Sequence, residues 1–249
     1  MGSLILAVRF LTVVPVPGRE LLGVSALGRA AWWFPVVGLL LGIGLDGTLA
    51  ALQALFPPLL ASALLVTVWK AVTGGIHLDG LADVLDGLGG RDPAQRLAIM
   101  RDSRVGVFGA AGLVLFLLLV VAAVADLPDP VRGRLLILAP VVGRAAPLLV
   151  GGWLRPATPG EGLGAAFVAG LSRWAGPLWA LGGIALGVAL VGPWGAAIPI
   201  LAWVAVILGA GLAARRLGGL TGDVLGAVVE LAELGALLAG AALARRGLL

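Results

Sequence analysis

The chain has 249 residues, 60% of them hydrophobic and only 12% charged, with a mean hydropathy of +1.10. Soluble domains are nearer about 45–50% apolar and about 25% charged, so a single water-facing fold does not account for this surface, and a bilayer is its natural solvent. Seventeen Lys and Arg against thirteen Asp and Glu leave a net charge of +4, but the arginines are scattered with no basic face for nucleic acid, and the absence of cysteine excludes disulfides and thiolate metal sites.

The opening "MGSLILAVRFLTVVPVPGRE" has no basic leader, and Arg9 interrupts its apolar run. It reads as a mature segment that lies in or dips into the membrane, not as a cleaved signal peptide. Apolar windows follow near 32–55, 59–73, 106–125, 135–152, 176–192, 194–213 and 224–244. Measured against a hydrocarbon core of about 30 Å, these give about seven transmembrane helices, the second and fifth of them short. No linker separates them, so the expected fold is all-α: one polytopic helical integral membrane domain over residues 1–249. The Gly192-Pro193 break is either a boundary between two spans or a tight hairpin. Forty glycines suit close helix packing.

Alternate connections carry most of the arginines, while the others, "FPP", "DLPDP" and "GP", have only Arg132 and Arg134 at the margin of one. The first set holds Arg9, Arg19 and Arg29 before the first span; Arg91, Arg96, Arg101 and Arg104 after the second; Arg155 and Arg173 after the fourth; and Arg215 and Arg216 after the sixth. The positive-inside rule makes these cytoplasmic. Arg245 and Arg246 break the pattern if all seven segments cross fully.

The chain's one histidine and three of its acids gather in "GGIHLDGLADVLDGLGG", from Gly74 to Gly90. Gly74-Gly75 ends the second span. On a helix of about 100° per residue, Asp79, Asp83 and Asp86 fall at about 0°, 40° and 340°, within about 60° of one another. Carboxylates on one face repel unless protonated, paired with arginine or bridged by a divalent cation. Magnesium accepts a few carboxylates while keeping waters and phosphate oxygens. A solvated amphipathic face is the plainer alternative. The setting of the cluster favours the metal: it abuts a span and is flanked by glycine and leucine. His77 ranks below the aspartates, because hard magnesium prefers oxygen.

Next comes "MRDSRVGVFG", in which Asp102 lies between Arg101 and Arg104. It is either a local ion pair or a fourth carboxylate beside arginines that grip phosphate oxygens. Far along the chain, "LGGLTGDVLGAVVELAEL" holds Asp223 at a helix start and Glu230 and Glu233 inside an apolar span. Ionisable groups at membrane depth face a bundle interior or a wet cavity, or pair to hold helices together. Asp46, Lys70 and Arg144 are further intramembrane charges, and Arg144 can partner any acid.

In order and spacing, "GGIHLDGLADVLDG", "RLAIMRDSRVGVFG" and "GGLTGDVLGAVVELAEL" resemble the cobalamin synthase (adenosylcobinamide-GDP ribazoletransferase) family. "RFLTVVPVP", "FPVVGLLLG" and "GEGLG" extend the likeness over most of the chain. The resemblance implies a cytoplasmic (inner) membrane enzyme of vitamin B12 assembly. Such an enzyme joins adenosylcobinamide-GDP to α-ribazole or its 5′-phosphate and releases GMP, with Mg2+ as cofactor. Its partners are those substrates and membrane lipid, with an oligomer left open. Asp79, Asp83, Asp86 and Asp102 become expected metal ligands, one of them alternatively the base towards the ribose hydroxyl. Arg101 and Arg104 hold the diphosphate. His77, Asp223, Glu230 and Glu233 complete the cavity or position a second substrate.

Two other readings compete. "DVLDGLGGR" resembles the opening of the CDP-alcohol phosphotransferase motif, but Met100, Arg104 and Phe108 stand where that motif continues with Gly, Asp and Asp. A cation- or proton-coupled transporter would use Asp46, Glu230 and Glu233 as relay groups near the bilayer midplane.

Overall fold

The computed structural model describes residues 2–17 and 26–249; the expectation for Arg19 falls outside them. After α1 (Gly2–Leu11) the chain continues through α2 (Leu27–Ala30), a 3-10 turn and α3 (Phe34–Gln53), which run on as one long apolar segment. There follow α4 (Pro58–Val72), α5 (Ile76–Gly87), α6 (Pro93–Met100), α7 (Val107–Asp126) and α8 (Val131–Gly151). The chain then forms α9 (Gly162–Gly170), α10 (Ala175–Val191), α11 (Ala197–Leu217) and α12 (Gly222–Arg245). Among the described residues no strand forms; one parallel bridge joins Pro156 to Leu220.

Five helical segments are long and apolar enough to cross a membrane, or seven if each of two bent pairs counts as one span. The bent pairs account for the short second and fifth windows in the sequence. Helix α4 has 15 residues, about 22 Å of helix against about 30 Å of hydrocarbon. It stops where Gly74 and Gly75 adopt φ of 65° and 67°, a left-handed pair that glycine enters without a Cβ penalty. Helix α5 leaves at 92° to α4, and α9 and α10 meet at 85°. Gly192, at φ 81°, makes the tight hairpin between α10 and α11; there Gly187 and Gly195 press backbone to backbone.

Helix α8 is the axis of the bundle. Its apolar window is 78% buried, against 28% for α7 and 33% for α11. The outer helices turn leucines outwards, Leu115, Leu118, Leu208 and Leu212 each being at least 60% exposed. Continuous exposed apolar surface of this kind has lipid as its partner. Helix α3 lies against α8 through Gly38 and Gly42, where a Cβ would sit 2.5 Å from the Pro140 carbonyl oxygen and 2.7 Å from the Ile137 Cα. This is the small-xxx-small packing of membrane helices.

The arginine-bearing connections meet at one end of the bundle. Arg96 Nη1 donates to the Arg216 carbonyl at 2.8 Å, and the Leu220 amide donates to the Arg155 carbonyl at 2.8 Å. The alternation read from the sequence is therefore a geometric fact for these loops.

Candidate active site at the crossing of α5 and α12

Helix α5 crosses the first turns of α12 at backbone distance. A Cβ on Gly80 would stand 2.8 Å from the Asp223 carbonyl oxygen, and one on Gly226 would stand 3.4 Å from the His77 Cα. Thr221 caps α12, its hydroxyl accepting from the Val224 amide at 3.2 Å. Asp79 and Asp83 of α5 thereby come beside Asp223, and no cation among the described residues is paired with any of the three. Asp83 shows the result: partial burial, then the charges of Asp79, Asp223 and Asp86, push its carboxyl up to about 6. Helix α5 is turned off the spanning direction, so this group sits at the end of the bundle.

Asp86 is near these acids but has other work. Its Oδ2 accepts from the Gly106 amide at 2.7 Å and its Oδ1 from the Gly109 amide at 2.8 Å. Both carboxylate oxygens thus satisfy amides that the start of α7 leaves without helical partners. The glycines admit this approach, since a Cβ on Gly106 would lie 2.5 Å from Asp86 Oδ1. These bonds orient the Asp86 carboxylate, and each of its oxygens keeps a second lone pair towards the neighbouring acids.

Asp102 also stands apart. It is held by its own loop, accepting from Arg104 Nε at 3.0 Å, Arg104 Nη2 at 2.6 Å and the Arg104 amide at 3.0 Å. Those bonds lower its carboxyl to about 2, and Asp102 is not among the charges felt at Asp83. The local ion pair read from the sequence forms, and it engages Arg104 as well. Arg101 is exposed and faces the cavity described below.

Glu230 and Glu233 are each 1% exposed. Lys70 of α4 pairs with Glu230 and, at 3.2 Å, with Glu233 Oε2, while Arg144 of α8 pairs with Glu233. Trp69 and Phe116 flank the Lys70 ammonium at 4.6 and 5.6 Å. Two cations and two anions close on one another among three helices, the pairing that holds helices together. The pairing ties up two of the three acids that a transporter reading names as relay groups. Asp46 packs beside Gly133 of α8.

Two cavities meet at the crossing. One, of about 170 Å³, is mainly apolar and is lined by Phe10, Phe34 and Phe167 with His77, Asp79 and Asp223. The other, of about 210 Å³, is more polar and is lined by Arg101, Thr158, Glu161 and Thr221 with Asp223. Asp223, Gly222 and Leu163 belong to both. Helix α6 brings Arg101 here because Met100 seats against Gly87 of α5. The phenylalanines escaped the sequence reading, since nothing local links positions 10, 34 and 167.

Among the described residues no three histidine, aspartate or glutamate side chains converge as a ready-made cage for an ion. The donor set still fits one manner of binding. Asp79, Asp83 and Asp223, none of them in an ion pair among the described residues, suit a hydrated magnesium ion, which takes one or two carboxylates and completes its shell with water and substrate phosphate. It does not suit an all-protein site.

These features define a polytopic α-helical membrane protein with an anionic, two-chambered site at one end of its bundle. The chain belongs to the cobalamin-5-phosphate synthase family, whose model matches residues 3–241. It is 42% identical over 238 residues to the adenosylcobinamide-GDP ribazoletransferase of Ectopseudomonas mendocina, covering 94% of this chain and 96% of that one. The proteins of that name from Brevibacillus brevis and Desulfitobacterium hafniense are 35% and 37% identical; each comparison covers 94% of this chain, with 95% and 94% of the relatives. No solved structure matches the chain. Membership of this family sets the CDP-alcohol phosphotransferase reading aside.

Proposed function

We propose that the chain catalyses the final joining step of cobalamin assembly, transferring the phosphorylated corrinoid arm of adenosylcobinamide-GDP to α-ribazole or its 5′-phosphate, with release of GMP. Relatives of this name match nearly the whole chain. Within the structure, the observation that carries the reading is Asp223, an acid in no ion pair that is shared by an apolar chamber and a chamber lined by Arg101.

The ribose hydroxyl attacks the phosphorus attached to the corrinoid arm. A new P–O bond forms, the P–O–P bridge to GMP breaks, and GMP leaves with the bridging oxygen. The hydroxyl proton passes to a carboxylate at the crossing. Asp83 suits this role, because a carboxyl raised to about 6 is a better base near neutrality than an ordinary aspartate. Arg101 faces the developing negative charge on the phosphate oxygens, where a guanidinium can bind two of them at once. Arg104 would have to leave Asp102 to do the same. A magnesium ion held by Asp79, Asp83 or Asp223 would supply electrostatic stabilisation of the diphosphate.

The arginine-rich end that carries the site supports a cytoplasmic orientation in the inner membrane. The test uses the purified chain in lipid nanodiscs, with GMP release measured from the GDP-activated corrinoid and α-ribazole. Turnover that requires a divalent cation and does not occur with CDP-activated lipid donors is expected. Turnover with the lipid donor alone would overturn the proposal.

A further inference from the structure

The crossing brings like charges together. Asp79 and Asp83 of α5 lie within electrostatic reach of Asp223 of α12, and carboxylates so placed repel one another. The contact surfaces offer no bond to resist this. Gly80 and Gly226 let the two backbones approach closely, but among the described residues no hydrogen bond or ion pair joins α5 directly to α12.

The hold lies just before α5, at the Gly74-Gly75 corner. Lys70 stands in the last turn of α4. Among the described residues it is the one member of α4 and α5 with a polar bond to α12: its ammonium pairs with Glu230 and, at 3.2 Å, with Glu233 Oε2. Its carbonyl belongs to the corner itself, accepting from the Gly75 amide at 3.0 Å and from the Thr73 hydroxyl at 3.2 Å. Side chain and backbone of one residue thus connect the start of α5 to α12. Contacts then step along the two segments in opposite senses: Lys70 with Glu230, His77 with Gly226, Gly80 with Asp223. The far end of α5 is held separately, by Asp86 on the first amides of α7. Lys70 is only 9% exposed, so water and salt do not screen its pairs as they screen surface pairs.

We propose that Lys70 is a positioning residue for the transfer: bound to Glu230 and Glu233, it holds the corner on α12 against the repulsion of the carboxylates and so sets the register in which Asp83 stands beside Asp223. The inference rests on the proposed reaction and adds what keeps its acids in place. Sliding by one residue moves a helix by about 1.5 Å, and a misplacement of about 1 Å set far from the chemistry slows a step by about 100-fold. A role in cohesion alone predicts a different outcome: neutralising the stranded partner would restore turnover together with the fold.

The test is GMP release from the GDP-activated corrinoid and α-ribazole by the full chain in nanodiscs, measured well below each melting temperature. It compares the unaltered protein, Glu230→Gln, Lys70→Met, and Lys70→Met with Glu230→Gln. The double variant is decisive, because it leaves no charge stranded at Glu230 yet has no ion pair from the corner to α12. Its melting temperature should recover in part while kcat stays as low as in Lys70→Met, roughly 10- to 100-fold down, with the KM for the GDP-corrinoid unchanged. Glu230→Gln leaves Lys70 paired with Glu233; its kcat should fall less, and it carries the comparison if methionine at position 70 prevents accumulation. The register is also read without turnover. Amide hydrogen exchange across Ile76–Gly87 should quicken in the altered proteins, with Val131–Gly151 as the unchanged reference.

A kcat that returns to the unaltered value in the double variant, or that follows melting temperature across the series, would overturn the positioning role and leave the reaction standing. Unchanged exchange in α5 would overturn it as well. Absence of GMP release from the unaltered protein would instead overturn the reaction, and exchange in α5 would still report whether Lys70 sets the register.

Discussion

Asp83 and Asp86 lie three positions apart on one helix and do different work. Asp86 gives both oxygens to the amides of Gly106 and Gly109. Asp86→Asn leaves one of those amides without an acceptor, which costs about 1–3 kcal/mol. Thermal unfolding in detergent should show the lower melting temperature, while GMP release below the transition persists. Asp83 has no such partner, and its carboxyl is raised to about 6 from 3.8. Between those values the folded chain keeps a proton that the unfolded chain has lost, so the contribution of this group to stability falls as pH rises through the window. Asp102, lowered to about 2, acts in the opposite sense and below that window. In buffer free of divalent ions, Asp83→Asn should therefore flatten the fall in melting temperature from pH 4 to 6; an unchanged slope would remove Asp83 as its source.

At the scale of elements, α4, α8 and α12 are joined by charge within an apolar bundle. Lys70→Met leaves Glu230 and Glu233 with Arg144 as the only paired cation among the described residues. Breaking a buried pair from one side costs about 3–5 kcal/mol, and much of that returns when the stranded partner is also neutralised. Membrane accumulation and thermal stability should fall in Lys70→Met and recover in part in Lys70→Met with Glu230→Gln. Failure of the second change to rescue would show that the network is not the cause. The intramembrane charges were visible in the sequence, but the pairing of Lys70 with Glu230 spans 160 positions and only the fold reveals it. By contrast, the Gly74-Gly75 turn and the α5 acids were legible because they depend on local glycine conformation and helical spacing. The Asp86 cap escaped for the opposite reason: its amides lie 20 and 23 positions away.

Across the whole molecule, composition made the membrane character legible, and the arginine spacing made the two ends of the bundle distinguishable. The chambers were not legible, because Phe10, Phe34 and Phe167 meet only when α1, α3 and α9 pack together. Sidedness can be tested cleanly, since the chain has no cysteine. With Ser103→Cys at the arginine-rich end and Leu55→Cys in the loop after α3, both exposed, the proposed orientation predicts that a membrane-impermeant maleimide applied to intact cells with a permeabilised envelope labels only Leu55→Cys. The reverse pattern would place the site on the outer face. The central claim is that unpaired carboxylates at the crossing of α5 and α12 carry out the transfer. Its most direct test is GMP release by Asp83→Asn in nanodiscs containing both substrates and magnesium. A fall of at least about 100-fold, the lower range for a positioned acid–base group, is expected with membrane accumulation unchanged. Turnover equal to that of the unaltered protein would contradict the account.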